Sequence, residues 1–340
     1  MNSAPFTRRD DLIDGFGRRI EYLRISVTDR CDLRCRYCMA EKMTFLPRSE
    51  VLSLEEIAII ADRFIARGVK KIRLSGGEPL VRRDFIDLAR RIGRHLDAGT
   101  LDELTLTTNA TRLSEHAASL YGAGIRRINV SLDTLDPDRF AYISRRGDLA
   151  AVLDGITAAK NAGLRVKINM VALRDLNDDE YLPMLRWCAG EGHDLTLIET
   201  MPLGSIDEDR QDRYLPLSEA TAQIESAYPL LPIAYRRGGP ARYFEAAGLP
   251  GTRLGLITPL SNNFCAGCNR MRLTCEGKIF MCLGHEDHVD LKTAYRTGGI
   301  AAVDAELDRA LVAKPLAHDF AIGASGTRGA TRRHMSVTGG

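Results

Sequence analysis

The 340-residue sequence has no apolar run near the roughly 18 residues that span a bilayer, and its polar N-terminus has no apolar signal-peptide core. Its formal net charge of +2 gives no global attraction to nucleic acid or membrane, so an anion site would need a local group of Arg and Lys. A Gly-x4-Gly-Lys-Ser/Thr phosphate-binding loop is missing. Eight Cys are too few for a disulfide scaffold. These absences predict a cytoplasmic globular protein in which grouped cysteines are metal ligands.

Short β-branched segments alternate with amphipathic segments of about 10–15 residues through the first two thirds of the chain, a spacing typical of βα units. Six such units predict an α/β fold with a parallel sheet covered by helices, and six are too few to close an eight-unit barrel. We therefore expect an open, partial (βα)6 TIM-like barrel, with a C-terminal domain covering the open side. The predicted strands cover residues 22–27, 71–75, 103–108, 127–132, 165–171 and 195–199.

The alternation ends near residue 207, and Pro and Gly become frequent in residues 229–255. We therefore predict a partial barrel over residues 1–206 and a C-terminal domain over residues 207–340. The composition of residues 324–340, rich in Gly, Thr, Arg and Ser, predicts an extended tail.

Local signals place helices between the predicted strands. Ser53 and Glu56 have the spacing of a capping box, and an apolar stripe follows them. Gly68 suits the end of that helix, and Pro137 suits the start of another.

The first cysteine group, Cys31-x3-Cys35-x2-Cys38, directly follows the first predicted strand. Chemistry in parallel-sheet enzymes is found at the carboxyl ends of strands. Three thiolates are one short of a tetrahedral zinc site or an ordinary four-iron cluster, so a cluster held here would keep one iron open. Three ligands of a zinc site, or simply buried cysteines, are the alternatives. Tyr37 lies between the last two cysteines, where an aromatic ring can cover a cluster.

The second group is Cys265-x2-Cys268-x13-Cys282. Zinc could bind it with Cys275, His285 or His288 as a fourth ligand. A second iron–sulfur cluster could instead use the three cysteines and again leave an iron open. The residues alone leave both interpretations open.

The first group resembles the signature of the radical S-adenosylmethionine superfamily, and Ser75-Gly76-Gly77-Glu78-Pro79 resembles its second motif. The resemblance implies a 4Fe-4S cluster on Cys31, Cys35 and Cys38. It also implies S-adenosylmethionine chelating the open iron and yielding a 5′-deoxyadenosyl radical on reduction. Cofactor contacts are expected in the second motif and at later strand ends, all facing one mouth. These candidates are Tyr37, Gly77, Glu78, Thr107, Asn109, Ser131, Asp133, Lys167, Asn169 and Met201.

The whole chain resembles the GTP 3′,8-cyclases of molybdenum cofactor biosynthesis. The motifs that carry this resemblance are LRISVTDRC, GVKKIRLSGGEPLVRRD, RRINVSLDTLD, IETMPLG, LGLITPLSNNFCAGCNRMRLTCEGK and a terminal Gly-Gly. The resemblance implies a second 4Fe-4S cluster on Cys265, Cys268 and Cys282, which makes Cys275 surplus. It further implies GTP as substrate, a flavodoxin- or ferredoxin-like electron donor and a downstream cyclic pyranopterin synthase, and it allows a homodimer. No nucleic-acid or membrane partner is expected.

Five basic residues are predicted to hold the GTP phosphates: Arg24, Lys71, Arg73, Arg270 and Arg272. An Arg fork can pair with two phosphate oxygens at once. The i, i+2 spacing of two pairs puts each pair on one face of an extended strand. A solvated charged surface is the alternative interpretation for any one of them.

The resemblance breaks at Thr196, where an Arg is expected among the substrate-facing positions. One phosphate contact is therefore missing or supplied from elsewhere. The terminal Gly339-Gly340 is predicted to enter the mouth of the active site, because glycine backbone passes through narrow spaces without side-chain clash.

Two other functions remain as alternatives. A different radical enzyme with an auxiliary cluster, such as a peptide-modifying one, would need a peptide groove in place of a triphosphate site. A zinc-ribbon nucleic-acid binder would use the second cysteine group, but a near-neutral chain without a long basic stretch argues against it.

Overall fold

The computed structural model describes residues 11–204, 213–235, 238–318, 320, 331 and 333–339. Within these ranges, no helix is both long and apolar enough to cross a membrane.

All six predicted strands are present, each within one residue of its predicted ends, and neighbouring strands pair in parallel in chain order. They are β1 (Tyr22–Ser26), β2 (Lys71–Ser75), β3 (Glu103–Thr108), β4 (Arg127–Ser131), β5 (Arg165–Ala172) and β6 (Asp194–Glu199).

The C-terminal part of the chain extends the same sheet at both edges. The strands added there are β7 (Leu230–Ile233), β8 (Arg242–Ala246), β9 (Arg253–Ile257), β10 (Arg270–Leu273), β11 (Lys278–Phe280) and β12 (His288–Asp290). Strand β10 pairs in parallel with β1, and β9 pairs in parallel with β6. The order β12-β11-β10-β1-β2-β3-β4-β5-β6-β9-β8-β7 is linear, so the barrel formed by the described residues is open.

Helices fill most of the connections. The predicted capping box is confirmed, since Ser53 Oγ accepts from the Glu56 amide at 3.1 Å and the Glu56 carboxylate accepts from the Ser53 amide at 2.8 Å. Pro137 is the first residue of its helix, as predicted. The helices are α1 (Leu54–Ala66), α2 (Phe85–Asp97), α3 (Leu113–Gly122), α4 (Pro137–Ser144), α5 (Leu149–Asn161), α6 (Tyr181–Glu191), α7 (Leu217–Glu225), α8 (Leu291–Ala313, interrupted at Gly299) and α9 (Met335–Thr338).

Alternate residues of the strands face opposite sides of the sheet. Leu23 of β1 and Ile72 of β2 are fully buried in the apolar core with the helices. Arg24 and Arg73, the next residue in each strand, line a cavity on the other face. The two-residue period thus separates a hydrophobic layer, which holds the fold together, from a polar layer that is available for ligands.

The predicted domain boundary, between residues 206 and 207, lies outside the described residues and stays a prediction. Of the predicted tail, residues 324–330, 332 and 340 lie outside them as well. The described remainder is not extended throughout, because Thr331 forms a β-bridge with Leu203 and α9 adds one short helix with buried Ser336 and Thr338.

One carboxylate joins the N-terminal ends of β2, β3 and β4. Glu103 of β3 accepts from Lys71 of β2 at 2.7 Å and from Arg127 of β4 at 2.5 Å. Burial raises the pKa of Glu103, but these two cations and their hydrogen bonds outweigh burial and lower it to about 2. The carboxylate is therefore charged in the folded protein at neutral pH and ties three strands together.

The substitution Glu103→Gln should lower the free energy of unfolding by about 1.5–3 kcal/mol at neutral pH, because two cations lose their anion. Since folding lowers the pKa of Glu103 from 4.5 to about 2, its stabilisation exists above pH 4.5 and is lost as the pH falls toward 2. Urea unfolding measured at decreasing pH should show the variant and the wild type converging in acid.

Glu115→Gln is the matched control, because Glu115 pairs with Arg112 at 3.2 Å on an exposed helix surface. It should change stability by no more than about 0.5 kcal/mol. A difference between wild type and Glu103→Gln that stays constant into acid would contradict the proposed charge on Glu103.

Candidate active site

One cavity of about 280 Å³ lies on the polar face of the sheet and collects almost every residue that the sequence singled out. Both cysteine groups line it, although more than 200 positions separate them in the chain. The predicted residues that line it are Arg24, Cys31, Cys35, Tyr37, Cys38, Lys71, Arg73, Gly77, Thr107, Asn109, Ser131, Lys167, Asn169, Met201, Cys265, Cys268, Arg270, Arg272, Cys282 and Gly339.

The first cysteine group occupies the loop after β1. Tyr37 donates from its hydroxyl to Asp133 Oδ2 at 2.7 Å, and Asp133 Oδ1 accepts from the Val171 amide at 2.8 Å. Asp133, a predicted cofactor contact, therefore anchors this loop to β5. Burial raises the pKa of the Cys35 thiol well above its usual range, so a cationic centre is needed to hold it as a thiolate.

The loop that follows β2 packs directly on the first cysteine loop. The amides of Gly77 and Glu78 donate to the carbonyls of Thr28 and Arg30, each at 2.8 Å. A Cβ at Gly76 or Gly77 would collide with those same carbonyl oxygens. Both glycines are required by the contact between the two loops, in addition to the expected approach of a ligand.

Glu78 is only 1% exposed and lies behind the cavity wall. Its carboxylate accepts from the Leu80 amide at 3.0 Å, Thr108 Oγ1 at 2.8 Å and the Asn109 amide at 2.6 Å. Burial raises the pKa of Glu78 to about 7, although these hydrogen bonds lower it. In this structure Glu78 fixes the end of β3, and its expected contact with an ammonium group stays a prediction.

Parallel register brings three guanidinium groups together. Arg24 of β1 lies opposite Arg73 of β2 on one side and Arg272 of β10 on the other. Burial lowers the pKa of Arg24 well below its usual range, and the charge of Arg272 lowers it further. Among the described residues, the buried Nε atoms of Arg24 and Arg73 have no hydrogen-bond partner. Buried cationic donors without a partner favour an anionic ligand.

Arg270 extends this group, with its guanidinium 5.2 Å from the centre of the Phe264 ring. Burial lowers the pKa of Arg272 to about 10, with the charge of Arg270 as the next cause. We call Arg24, Arg73, Arg270 and Arg272 the arginine group.

Two lysines differ from expectation in their surroundings. Lys71 was predicted to hold phosphate, and it lines the cavity while pairing with Glu103. Lys167 was predicted to contact the cofactor. Burial lowers the pKa of Lys167 well below its usual range, followed by the charges of Arg73 and Arg127. Lys167 is therefore close enough to Arg73 of the arginine group for the two charges to interact.

A row of neutral polar side chains crosses the sheet two residues nearer the C-terminal ends of the strands than Arg24 and Arg73. Ser75, Thr107 and Asn129 lie on adjacent strands in this row, and all three line the cavity. In the described part of the chain, Ser75 Oγ, Thr107 Oγ1 and both amide atoms of Asn129 are buried without a hydrogen-bond partner. Unsatisfied polar atoms in a cavity wall are the mark of a polar ligand.

Sequence reasoning missed Asn129 and Arg127, which also line the cavity. Both precede the predicted Ser131 on β4 at two-residue intervals. The alternation of β4 could have identified them, because residues at i and i+2 share a face.

The second cysteine group flanks β10 and β11, with Cys265 and Cys268 before β10 and Cys282 after β11. Lys314 donates to Cys268 Sγ at 3.7 Å, and Arg18 donates to the carbonyl of Cys265 at 2.9 Å. Burial raises the pKa of Cys268, but the charges of Arg270 and Lys314 outweigh it and lower the pKa below its usual value. This environment favours a thiolate.

The residues that the zinc alternative would use as a fourth ligand lie away from the cavity lining formed by the described residues. Cys275 is completely buried elsewhere, His285 Nε2 lies 3.0 Å from the Ala317 carbonyl oxygen, and His288 is exposed. Thr196, where an Arg was expected, is also completely buried outside the lining.

A buried carboxylate holds the loop that leads to Cys265. Glu199, at the end of β6, accepts from the amides of Leu260 at 3.0 Å and Ser261 at 3.2 Å. The IETMPLG motif thus fixes the second cysteine group relative to the barrel.

Gly339, the last described residue, lies in the same cavity. Gly339 lines the wall, and its carbonyl accepts from Arg272 Nη1 at 3.3 Å. A Cβ at this position would collide with Ser75 Oγ, and the backbone φ of +76° also favours glycine. Gly340 lies outside the described residues.

The donor chemistry fits two iron–sulfur clusters. Each cysteine group presents three thiols to one cavity. Across the described ranges, no three His, Cys, Asp or Glu side chains converge closely enough to hold a single metal ion. A four-iron cluster binds its three cysteines through three different irons, so its ligands surround a cube and do not meet at one point.

Two family profiles match the chain. The Radical SAM superfamily matches residues 25–188, and the family described as Molybdenum Cofactor Synthesis C matches residues 193–320.

Solved structures with a similar fold include Streptococcus suis SuiB. SuiB bound to its precursor peptide SuiA gives a TM-score of 0.58 at 17% identity, covering 88% of this chain and 67% of SuiB. SuiB bound to S-adenosylmethionine gives 0.54 at 17% identity, covering 79% of this chain and 63% of SuiB. At this identity the likeness concerns the fold alone.

Curated relatives are similar over nearly the whole length. A GTP 3′,8-cyclase of Rhizobium meliloti (strain 1021) is 58% identical, with 100% of each chain covered. One of Erythrobacter litoralis (strain HTCC2594) is 56% identical, covering 97% of this chain and 99% of the relative. With this identity across both cysteine groups, the chain belongs to the GTP 3′,8-cyclase family of the radical S-adenosylmethionine superfamily.

Proposed function

We propose that this protein is a lyase that converts GTP to 3′,8-cyclo-GTP, the first step of molybdenum cofactor biosynthesis. The observation that carries the proposal is the arginine group inside a cavity that both cysteine groups line, with the buried Nε atoms of Arg24 and Arg73 left without a partner among the described residues. A triphosphate supplies the negative charge that this group needs, and Arg forks orient as well as attract it.

The residues that line the cavity have three different roles: they hold the clusters, contact the cofactor or bind the phosphates. Cys31, Cys35 and Cys38 hold the first 4Fe-4S cluster, and Cys265, Cys268 and Cys282 hold the second. When bound, the first cluster and S-adenosylmethionine supply the 5′-deoxyadenosyl radical that abstracts a ribose hydrogen. Tyr37, Gly77, Thr107, Ser131 and Met201 contact the cofactor, and the arginine group holds the phosphates.

Lys71 and Lys167 complete the substrate site. Lys167 lies among the cations, so we assign it to the phosphates with the arginine group. Lys71 is already paired with Glu103 and contributes less free charge to GTP than the arginines do. Thr196 leaves no cation on β6, and Arg127 of β4, which also lines the cavity, shares Glu103 with Lys71.

The alternatives fit the cavity less well. A peptide substrate would not supply the negative charge that the four arginines of the arginine group need. A zinc-ribbon nucleic-acid binder would present its basic residues on an exposed surface, whereas these face a cavity shared with the first cysteine group.

The proposal also covers the location of the enzyme, its electron donor, the enzyme that follows it, its assembly and its domain boundary. We place the enzyme in the cytoplasm, reduced by a flavodoxin- or ferredoxin-like donor and followed by a cyclic pyranopterin synthase. A homodimer and a boundary between residues 206 and 207 belong to the same proposal.

The decisive experiment is anaerobic incubation of iron-reconstituted protein with S-adenosylmethionine, dithionite and GTP. Formation of 5′-deoxyadenosine together with a cyclised GTP product is expected. Cleavage of S-adenosylmethionine without any GTP-derived product would overturn the assigned substrate.

Iron content tests the two cysteine groups. Wild-type protein should bind about eight irons per chain, and the triple substitution of Cys31, Cys35 and Cys38 by Ala should bind about four. The triple variant should lose S-adenosylmethionine cleavage and keep GTP binding. Cys275→Ala is the control, because Cys275 is buried away from the cavity lining, and it should keep about eight irons. Cleavage retained in the triple variant would contradict the assignment.

The arginine group is tested by Arg73→Ala. Loss of one charged contact to phosphate should cost about 1.5–3 kcal/mol, which is roughly a 10- to 100-fold loss of GTP affinity in calorimetry. S-adenosylmethionine affinity should not change. Arg165→Ala removes an exposed Arg of strand β5 and should leave both affinities unchanged. A fall in cofactor affinity alone would reverse the roles.

The role of the C-terminus is tested by Gly339→Ala. The added Cβ would displace the chain end from Ser75 and Arg272. We expect both clusters and most of the GTP affinity to remain while formation of the cyclised product falls. Gly190→Ala, where a Cβ meets open space, is the control. Unchanged product formation by Gly339→Ala would show that this end of the chain has no role in turnover.

A further inference from the structure

We propose that Asn129 positions the ribose of GTP by hydrogen-bonding to its hydroxyl groups, which makes Asn129 a positioning residue for the hydrogen abstraction. This inference rests on the proposed substrate and adds a contact that neither the motifs nor the cysteine groups indicate.

The Asn129 side chain is completely shielded from water, yet it forms part of the cavity wall. It is the central residue of β4, in register with Thr107 of β3 and Lys167 of β5. Among all described residues, none accepts from its Nδ2 or donates to its Oδ1. This holds whichever way the amide is turned, because both atoms lack a partner.

The chemistry of the amide selects its ligand. A buried amide left unpaired costs free energy, so the bound state must supply both a donor and an acceptor. Phosphate oxygens at neutral pH mainly accept, and they would leave Oδ1 unpaired. A sugar hydroxyl both donates and accepts, so the hydroxyl groups of a ribose can pair with both Oδ1 and Nδ2 of Asn129.

The position of Asn129 along its strand agrees with a ribose as its ligand. Arg24 and Arg73 lie two residues nearer the starts of the strands. Ser131 lies two residues nearer the end of β4, toward Asp133, which accepts a hydrogen bond from Tyr37 of the first cysteine loop. Two residues along a strand span about 6.5 Å. A nucleotide whose phosphates meet the arginines thus has its neutral ribose at the Asn129 row, between the phosphates and the source of the radical.

S-adenosylmethionine also carries a ribose, but the neighbour of Asn129 on β5 favours GTP. Lys167, in register with Asn129, lines the cavity. Burial lowers the pKa of Lys167 and the charge of Arg73 lowers it further, which places Lys167 near a residue assigned to the phosphates.

The test uses anaerobically reconstituted protein with both clusters and measures dissociation constants by calorimetry for GTP, 2′-deoxy-GTP, 3′-deoxy-GTP, GDP and S-adenosylmethionine. Wild type should bind at least one deoxy analogue about tenfold more weakly than GTP, the loss expected for one buried hydrogen bond. Asn129→Ala should bind GTP about tenfold more weakly and should no longer distinguish it from that analogue. Its preference for GTP over GDP and its affinity for S-adenosylmethionine should be unchanged.

Two further variants, one conservative and one outside the cavity lining, serve as controls for Asn129→Ala. Asn129→Asp keeps the size and the acceptor, so it should retain discrimination between GTP and the deoxy analogue while binding all triphosphates more weakly through its added charge. Thr252→Val, which removes an unpaired buried hydroxyl outside the cavity lining of the described residues, should behave as wild type.

Retained discrimination in Asn129→Ala would overturn the inference, as would a loss of S-adenosylmethionine affinity in place of GTP affinity, which would assign Asn129 to the ribose of the cofactor. A wild-type protein that fails to bind GTP at all would instead overturn the proposed function, so the two failures are distinguishable.

A turnover measurement separates positioning from folding. Asn129→Ala should form more 5′-deoxyadenosine per molecule of cyclised product than wild type at saturating GTP, because the ribose is held less firmly near the radical. A merely structural role would lower both products together and leave their ratio unchanged.

Discussion

The guanidinium groups of Arg24, Arg73 and Arg272 lie side by side because their strands are parallel and in register, and this puts like charges together inside a buried cavity. Mutual repulsion and lost hydration oppose such an arrangement. The apolar layer on the other face of the sheet supplies the stabilisation that allows it, since Leu23, Ile72 and their neighbours are completely buried. The barrel thus holds an anion site ready at a cost to its own stability.

Segments far apart in the chain complete the cavity. The first cysteine group follows β1, whereas the second flanks β10 and β11, of which β10 pairs with the same strand. Glu199 fixes the loop before Cys265, and Lys314 approaches Cys268. Because both ends of the C-terminal part join the edges of one sheet, the two cysteine groups are held across a single space in which a nucleotide can lie between them.

Much of the fold could be predicted because its determinants are local. The six strands, the Ser53 cap and the helix start at Pro137 are confirmed, since alternation and capping depend on neighbouring residues. The surroundings of Glu78, Lys71 and Lys167 could not be predicted, because their partners come from other strands. Glu78 is held by Thr108 and Asn109, and Lys71 is neutralised by Glu103.

The sequence by itself determined the chemistry available to this protein: the spacing of Cys31, Cys35 and Cys38, the glycine motif after β2 and the basic residues at i, i+2 positions. Only the tertiary structure decided which side chains share one cavity and which have a partner there. Asn129 shows the difference, because an asparagine in a strand is unremarkable until its amide is buried, faces a cavity and has no partner among the described residues. The physical reason is that satisfaction of a polar group depends on all the strands that surround it, whereas sequence spacing reports only its own.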